Sequence, residues 1–205
     1  MKKNILKPVI LILFSALFFS CINVDTEIVF RQDLSGEISI KYSVSKSVLN
    51  IGRLDENESF LPLPVEENKY REKADKTNGL DLKSFKKEET EEELFITARY
   101  EFRNLDALNA VVSNNDEKKI DVQRRSGSTY FTQNIFNKNN TPANEETIKL
   151  AEALFADRTI KMKITAPSQI KSRNIGTSAG NSAETEFNLP TLLAENVPVV
   201  WEVVW

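Results

Sequence analysis

From Ile22 onward apolar and polar residues alternate with a period of two, with Ile22, Val24, Thr26, Ile28 and Phe30 on one side and Asn23, Asp25, Glu27 and Arg31 mostly on the other. Successive strand side chains point to opposite faces, so this is the pattern of a half-buried strand. Gln32-Asp33-Leu34-Ser35-Gly36 supplies turn residues, after which Ile38, Ile40, Tyr42 and Val44 alternate with Ser39, Lys41, Ser43 and Ser45. An opening β-hairpin is predicted. A second hairpin follows: a strand begins at Leu80 and Leu82, the acidic run Glu88-Glu89-Thr90-Glu91-Glu92 turns, and Leu94, Ile96, Ala98, Tyr100 and Phe102 alternate with Phe95, Thr97, Arg99, Glu101 and Arg103. Ile120 to Arg124 and Thr129 to Phe136 flank Ser126-Gly127-Ser128 as a third. Ile160, Met162 and Ile164, then Thr185, Phe187 and Leu189, and last Val199 to Trp205 extend the strand pattern to the C-terminus.

Helical periods are fewer. Asn104 is placed to cap a helix carrying Leu105, Leu108, Val111 and Val112. Thr141-Pro142 opens another, with Pro at its first position, Glu145 and Glu146 near the positive end of the dipole, and Ile148, Ala151, Leu154 and Phe155 on one face. Ser47 to Leu54 fits a short helix, whereas Asp55 to Gly79 is rich in charge and has no sustained period, so it is read as a long loop. Its apolar tip, Phe60-Leu61-Pro62-Leu63-Pro64, is a candidate lid or membrane-touching element, set against simple packing on the core. No tandem repeat, low-complexity tract or interdomain linker occurs. The expectation is one α+β domain, an antiparallel β-sheet built from hairpins with one or two covering helices.

The first twenty residues follow a different rule. Lys2, Lys3 and Lys7 precede an apolar run from Val9 to Phe19, broken only by Ser15 and ending at Ser20 before the only cysteine of the chain, Cys21. The run is shorter than the ~20 apolar residues that cross a bilayer, so a removable export signal fits best. Phe18-Phe19-Ser20-Cys21 resembles the lipobox of bacterial lipoproteins, in which the cysteine is acylated and becomes the first residue of the mature protein. Phe18 stands where Leu is usual, as in the looser lipoboxes of spirochaetal lipoproteins. The expected division is residues 1–20 as a signal peptide and residues 21–205 as a single domain tethered to the membrane by acyl chains on Cys21. A single thiol has no partner within the chain for a disulfide, and acylation explains its position. Ile22 supplies no aspartate of the kind that retains some lipoproteins at the inner membrane, so the outer membrane is expected where the host has one.

Composition narrows the chemistry. With 205 residues, 40% hydrophobic and 28% charged, the chain is in the globular range, and 27 Lys+Arg against 30 Asp+Glu gives a formal charge of -3 that makes nucleic acid a poor partner. There is no histidine. That removes His-activated nucleophiles and His-containing zinc sites. The Glu88 to Glu93 run lacks the spacing of a calcium loop, Arg124-Arg125 could grip a phosphate only if the turn bent the two side chains together, and no phosphate loop or nucleophile elbow is present. No catalytic residue, metal site or cofactor is therefore assigned, and the protein is expected not to be an enzyme; a carboxylate-based hydrolase is the remote third reading. Trp201 and Trp205 fall on one strand face, either as the floor of a ligand cavity or as core packing.

The lipobox, the immediate strand with Asp25 and Glu27, the hairpin through Asp33-Leu34-Ser35-Gly36 into Ile38 to Val44, and a late Ala166-Pro167 leading through Asn174 and a Gly-containing loop to Thr185-Glu186-Phe187 together resemble the LppM-type domain of bacterial envelope lipoproteins. Phe187 stands where a tryptophan is expected. The resemblance implies an α+β envelope domain that binds lipids or surface partners and carries no known catalytic residues. The leading expectation is a lipid-anchored cell-envelope protein whose non-catalytic domain binds a lipid, another amphiphile or an envelope component, in a cavity between sheet and helices with Phe60, Leu61 and Leu63 near the entrance and Trp201 and Trp205 as further ligand contacts. The alternative is a structural or assembly lipoprotein that holds a protein partner.

Overall fold

A computed structural model describes residues 22–46, 64–113, 118–137, 145, 149, 159–188, 190–192 and 197–205. The alternating segments form strands. β1 (Ile22–Phe30) and β2 (Gly36–Ser45) make the first hairpin, β3 (Leu80–Glu89) and β4 (Glu93–Phe102) the second, and β5 (Ile120–Arg125) and β6 (Ser128–Phe136) the third. β7 (Thr159–Thr165), β8 (Ser172–Arg173), β9 (Thr177–Ala179), β10 (Ser182–Asn188) and β11 (Val199–Val204) follow. They assemble into a seven-stranded sheet in the order β3-β4-β2-β1-β7-β10-β9 and a four-stranded sheet in the order β5-β6-β11-β8. The fold is α+β, as expected, with one departure from an antiparallel sheet of hairpins: β1 and β7 run parallel, Val24 opposite Ile160 and Ile28 opposite Ile164. A parallel neighbour needs a long crossover, and here the chain builds the whole second sheet hairpin between the two strands.

The first turn is held by its own side chain. Asp33 Oδ1 accepts from the Ser35 amide at 3.0 Å and the Ser35 hydroxyl at 2.6 Å, while Leu34 takes φ 70°. Those two hydrogen bonds hold the Asp33 carboxyl below its usual value. This is an Asx turn, the local chemistry that makes Asp frequent at such positions.

Helix α1 (Glu67–Lys76) corrects the reading of Asp55 to Gly79 as a loop. It buries only Tyr70 and Ala74, one turn apart, and its outer surface carries the i,i+4 ion pairs Glu67–Arg71 at 2.5 Å and Glu72–Lys76 at 2.6 Å. Helix α2 (Leu105–Val112) is capped as predicted, Asn104 Oδ1 accepting from the Ala107 amide at 2.8 Å. Lys73 of α1 donates to the Ala110 carbonyl at 2.9 Å, placing a cation at the negative end of α2. Of the helix predicted after Thr141-Pro142, Glu145 and Lys149 are described; both are helical and pair at 2.7 Å. Cys21, the predicted Ser47 to Leu54 helix and the Phe60-Leu61-Pro62-Leu63 tip lie outside the described residues.

One core joins the two sheets. Phe30 at the end of β1 contacts Phe102 edge-on at 5.6 Å, Phe131 of the small sheet at 6.0 Å and Trp205 at 5.7 Å. Tyr42, Tyr70 and Tyr100 form a second aromatic group under α1, with Tyr70 and Tyr100 stacked at 6.4 Å and the Tyr100 hydroxyl donating to the Tyr70 carbonyl at 3.1 Å. Burial raises the hydroxyl pKa of all three, that of Tyr70 to about 12. A pKa raised by folding means that the stabilisation is complete below the unfolded value near 10 and is lost as the pH rises toward the folded one. Each buried tyrosine then costs roughly 1.4 kcal/mol per pH unit within that window. Thermal melts followed by circular dichroism should therefore show a midpoint that falls steeply between about pH 10 and 12, with tyrosinate absorbance from this group appearing together with unfolding; ionisation of all three in a still-folded chain would contradict the buried arrangement.

Candidate functional site on the outer face of the large sheet

The large sheet turns one face to the core; its other face, where Ser43 and Ser45 near the end of β2 are buried and the charged residues of the neighbouring strands are more open, holds a groove of about 470 Å³. Alternation along each strand supplies its walls: Asp25 and Glu27 from β1, Ser39 and Lys41 from β2, Lys161 and Lys163 from β7, Glu184 and Glu186 from β10. Their inward neighbours Ile28, Ile38, Ile40, Met162, Ile164 and Ala183 are buried. Burying that apolar row fixes the register, because a slip of one residue would send every charge inward.

The register sorts the charges into two rows of alternating sign. Lys41, Asp25, Lys161 and Glu186 lie side by side across four strands, and Ser39, Glu27, Lys163 and Glu184 form the next row. Opposite charges directly across a strand pair favour the pairing. Lys163 Nζ is 2.9 Å from Glu27 Oε1, and this hydrogen-bonded partner holds the ammonium above its ordinary pKa. Lys161 Nζ is 3.6 Å from Glu186 Oε2, and Thr177 donates to Glu184 Oε1 at 3.3 Å. Asp25 and Lys41, opposite one another in the register, make no ion pair with any described residue. Both side chains are exposed.

Gly176 closes one side by backbone proximity. A Cβ there would stand 2.0 Å from the Glu184 carbonyl oxygen, and its φ of +80° lies in the left-handed region that favours glycine. The groove wall can therefore approach β10 only because residue 176 has no side chain.

The other residues singled out by sequence lie elsewhere. Trp201 and Trp205 are core residues, 0% and 4% exposed; Trp201 meets Phe131 edge-on at 5.8 Å, Trp205 lies against Phe30, and neither lines the groove. Phe60, Leu61, Leu63 and the lipidation residue Cys21 are outside the described residues. Between the large sheet and its helices, where the ligand cavity was expected, Tyr70, Ala74, Ala107, Leu108 and Val111 are buried core residues, and the groove opens on the opposite face. Arg124 donates to the Gln32 carbonyl and Arg125 to the Gln123 side chain, so the adjacent guanidiniums are engaged in different directions. Among the described residues no three Cys, Asp or Glu gather as metal ligands, and no helix is long and apolar enough to cross a membrane.

No protein-family model and no curated protein matches the sequence. Among solved structures, the NMR structure of the folded domain of LppM from Mycobacterium tuberculosis superimposes with a TM-score of 0.52 at 9% sequence identity, over 89% of this chain and 88% of that one. At that identity the likeness is one of fold, and it agrees with the resemblance carried by the first hairpin and the Ala166-Pro167 to Phe187 segment: this chain has the fold of the LppM folded domain.

Proposed function

We propose that the chain is a lipid-anchored cell-envelope protein, tethered through Cys21, whose non-catalytic domain binds an amphiphile or other envelope component by a head group carrying both signs of charge. The observation that carries this reading is the groove itself: Asp25 and Lys41 stand side by side within rows of alternating charge with no ion-pair partner among the described residues, a pattern complementary to an anionic group beside a cationic one. The LppM-like fold supports the envelope assignment. So does the sequence, because Asp25 and Glu27 follow Cys21 by four and six residues. At ~3.3 Å per strand residue, an acylated Cys21 would hold the groove about 13–20 Å from the anchor, within reach of large head groups.

Two measurements on the full chain test the two halves of the proposal. Radiolabelled palmitate should enter the wild type and not Cys21→Ser, and the Cys21→Ser product should leave the membrane fraction; equal labelling would end the anchor proposal. In detergent solution, titration with glycerophosphoethanolamine, a soluble zwitterionic head group, should shift the NMR resonances of Asp25, Lys41 and Thr177. Lys41→Glu should weaken that binding about tenfold, the equivalent of ~1.4 kcal/mol. If no groove resonance moves, the domain's role passes to holding a protein partner.

A further inference from the structure

The small sheet contains a polar pair that the groove does not involve. Gln133 of β6 and Trp201 of β11 are opposite one another in the register, 5% and 0% exposed. Gln133 Oε1 and Trp201 Nε1 are both buried and find no hydrogen-bond partner among the described residues. Their surroundings are apolar: Ile120, across from Gln133 on β5, is 2% exposed, and Phe131 packs edge-on against the Trp201 ring. An indole N–H can only donate and an amide oxygen can only accept. Leaving either buried and unmatched costs about 1–3 kcal/mol, and because the two are not bonded to each other, one group that accepts from the indole and donates to the amide oxygen would satisfy both.

A hydroxyl has that chemistry. We propose that Gln133 and Trp201 hold one hydroxyl group between them, its oxygen accepting from Trp201 Nε1–H and its proton donated to Gln133 Oε1. Its source is either a buried water or the alcohol group of a small ligand lodged in the core beside β6 and β11. Ordered buried waters typically serve otherwise unmatched polar groups in this way. The site is separate from the head-group groove, which lies on the other sheet, and stands or falls independently of it.

The full chain, labelled with 15N at its tryptophan indoles and solubilised in a deuterated detergent that has no hydroxyl group, tests the proposal by NMR. The Trp201 indole signal is the one lost in Trp201→Phe. A cross-peak from that N–H to the water resonance identifies a bound water, and one to carbon-bound protons of a co-purified alcohol identifies a ligand; an indole with cross-peaks to protein protons only overturns the proposal. Gln133→Leu, or Gln133→Met if the first does not fold, should move the Trp201 indole signal upfield and weaken the cross-peak about fivefold or more, since one of the two anchoring bonds is gone. An unchanged signal in a folded variant would remove Gln133 from the site and with it the proposed bridge.

Discussion

Replacing Asn109 by leucine should lower the unfolding free energy by about 4 kcal/mol, more than expected for a residue in the middle of an eight-residue helix. The Asn109 carboxamide spends all its hydrogen-bonding capacity inside the protein. Nδ2 donates to the Leu105 carbonyl at 3.0 Å and to the Ile120 carbonyl at 2.8 Å, and Oδ1 accepts from the amides of Lys119 at 2.9 Å and Ile120 at 2.7 Å. β5 is the edge of the small sheet, so on that side the carboxamide stands where a neighbouring strand would. Leucine keeps the branched outline of four side-chain heavy atoms and makes none of these bonds. It would strand the amide and carbonyl of Ile120, a residue 2% exposed, at roughly 1–3 kcal/mol for each group. Urea unfolding with an unchanged m-value measures the loss. A loss below about 1 kcal/mol would mean that water reaches the edge of β5 and replaces the side chain.

Gly36→Ala should cost about 3 kcal/mol, at the upper end of ordinary overpacking. Gly36 pairs with Phe30 on one side and Phe102 on the other. An added Cβ would sit 2.0 Å from the Val29 carbonyl oxygen and 2.8 Å from the Phe102 ring. The nearest obstacle is backbone within a strand pair, and the next is a ring packed on Phe30, so neither yields cheaply. Gly127 provides the contrast. Its φ is +77° but nothing lies within 4 Å of a built Cβ, and Gly127→Asn, which tolerates the left-handed region, should cost well under ~1 kcal/mol. Paired thermal melts decide the matter: a loss at Gly36 as small as that at Gly127 would show that the Val29 backbone and the Phe102 ring yield and that crowding does not govern the position.

How much of this was legible in the sequence depended on whether the information was local. The three hairpins were, because alternation marks each strand and turn residues mark each reversal. The Asn104 cap was too, since a capping side chain bonds its own helix. Helix α1 was missed for a physical reason. With Tyr70 and Ala74 as its buried pair, the segment Glu67–Lys76 has almost no apolar stripe, and its clues were the Glu67–Arg71 and Glu72–Lys76 spacings. Alternation also put Asp25, Glu27 and Lys41 on an outward face. It did not reveal that β7 and β10 complete that face, because a strand's sequence says which way its side chains point and not which strand lies beside it. The bonds of Asn109 to Lys119 and Ile120 were hidden likewise, a mid-helix Asn carrying no mark of the strand edge it serves.

The parallel pairing of β1 with β7 also sets an order of events. On its β2 side, β1 finds its partner across the Arg31 to Ser35 turn, a local closure completed in microseconds. On its other side it waits for β7, and a hydrogen bond such as that from the Thr159 amide to Asn23 Oδ1, at 3.4 Å, spans 136 residues. Until the distal chain arrives, the strand nearest the N-terminus is an open edge with Ile28 and Phe30 uncovered, the kind of surface on which newly made chains pair with one another. Among the described strands that end up paired on both sides, β1 therefore keeps an open edge longest during folding, and misassembly between new chains is expected to begin at residues 22 to 30.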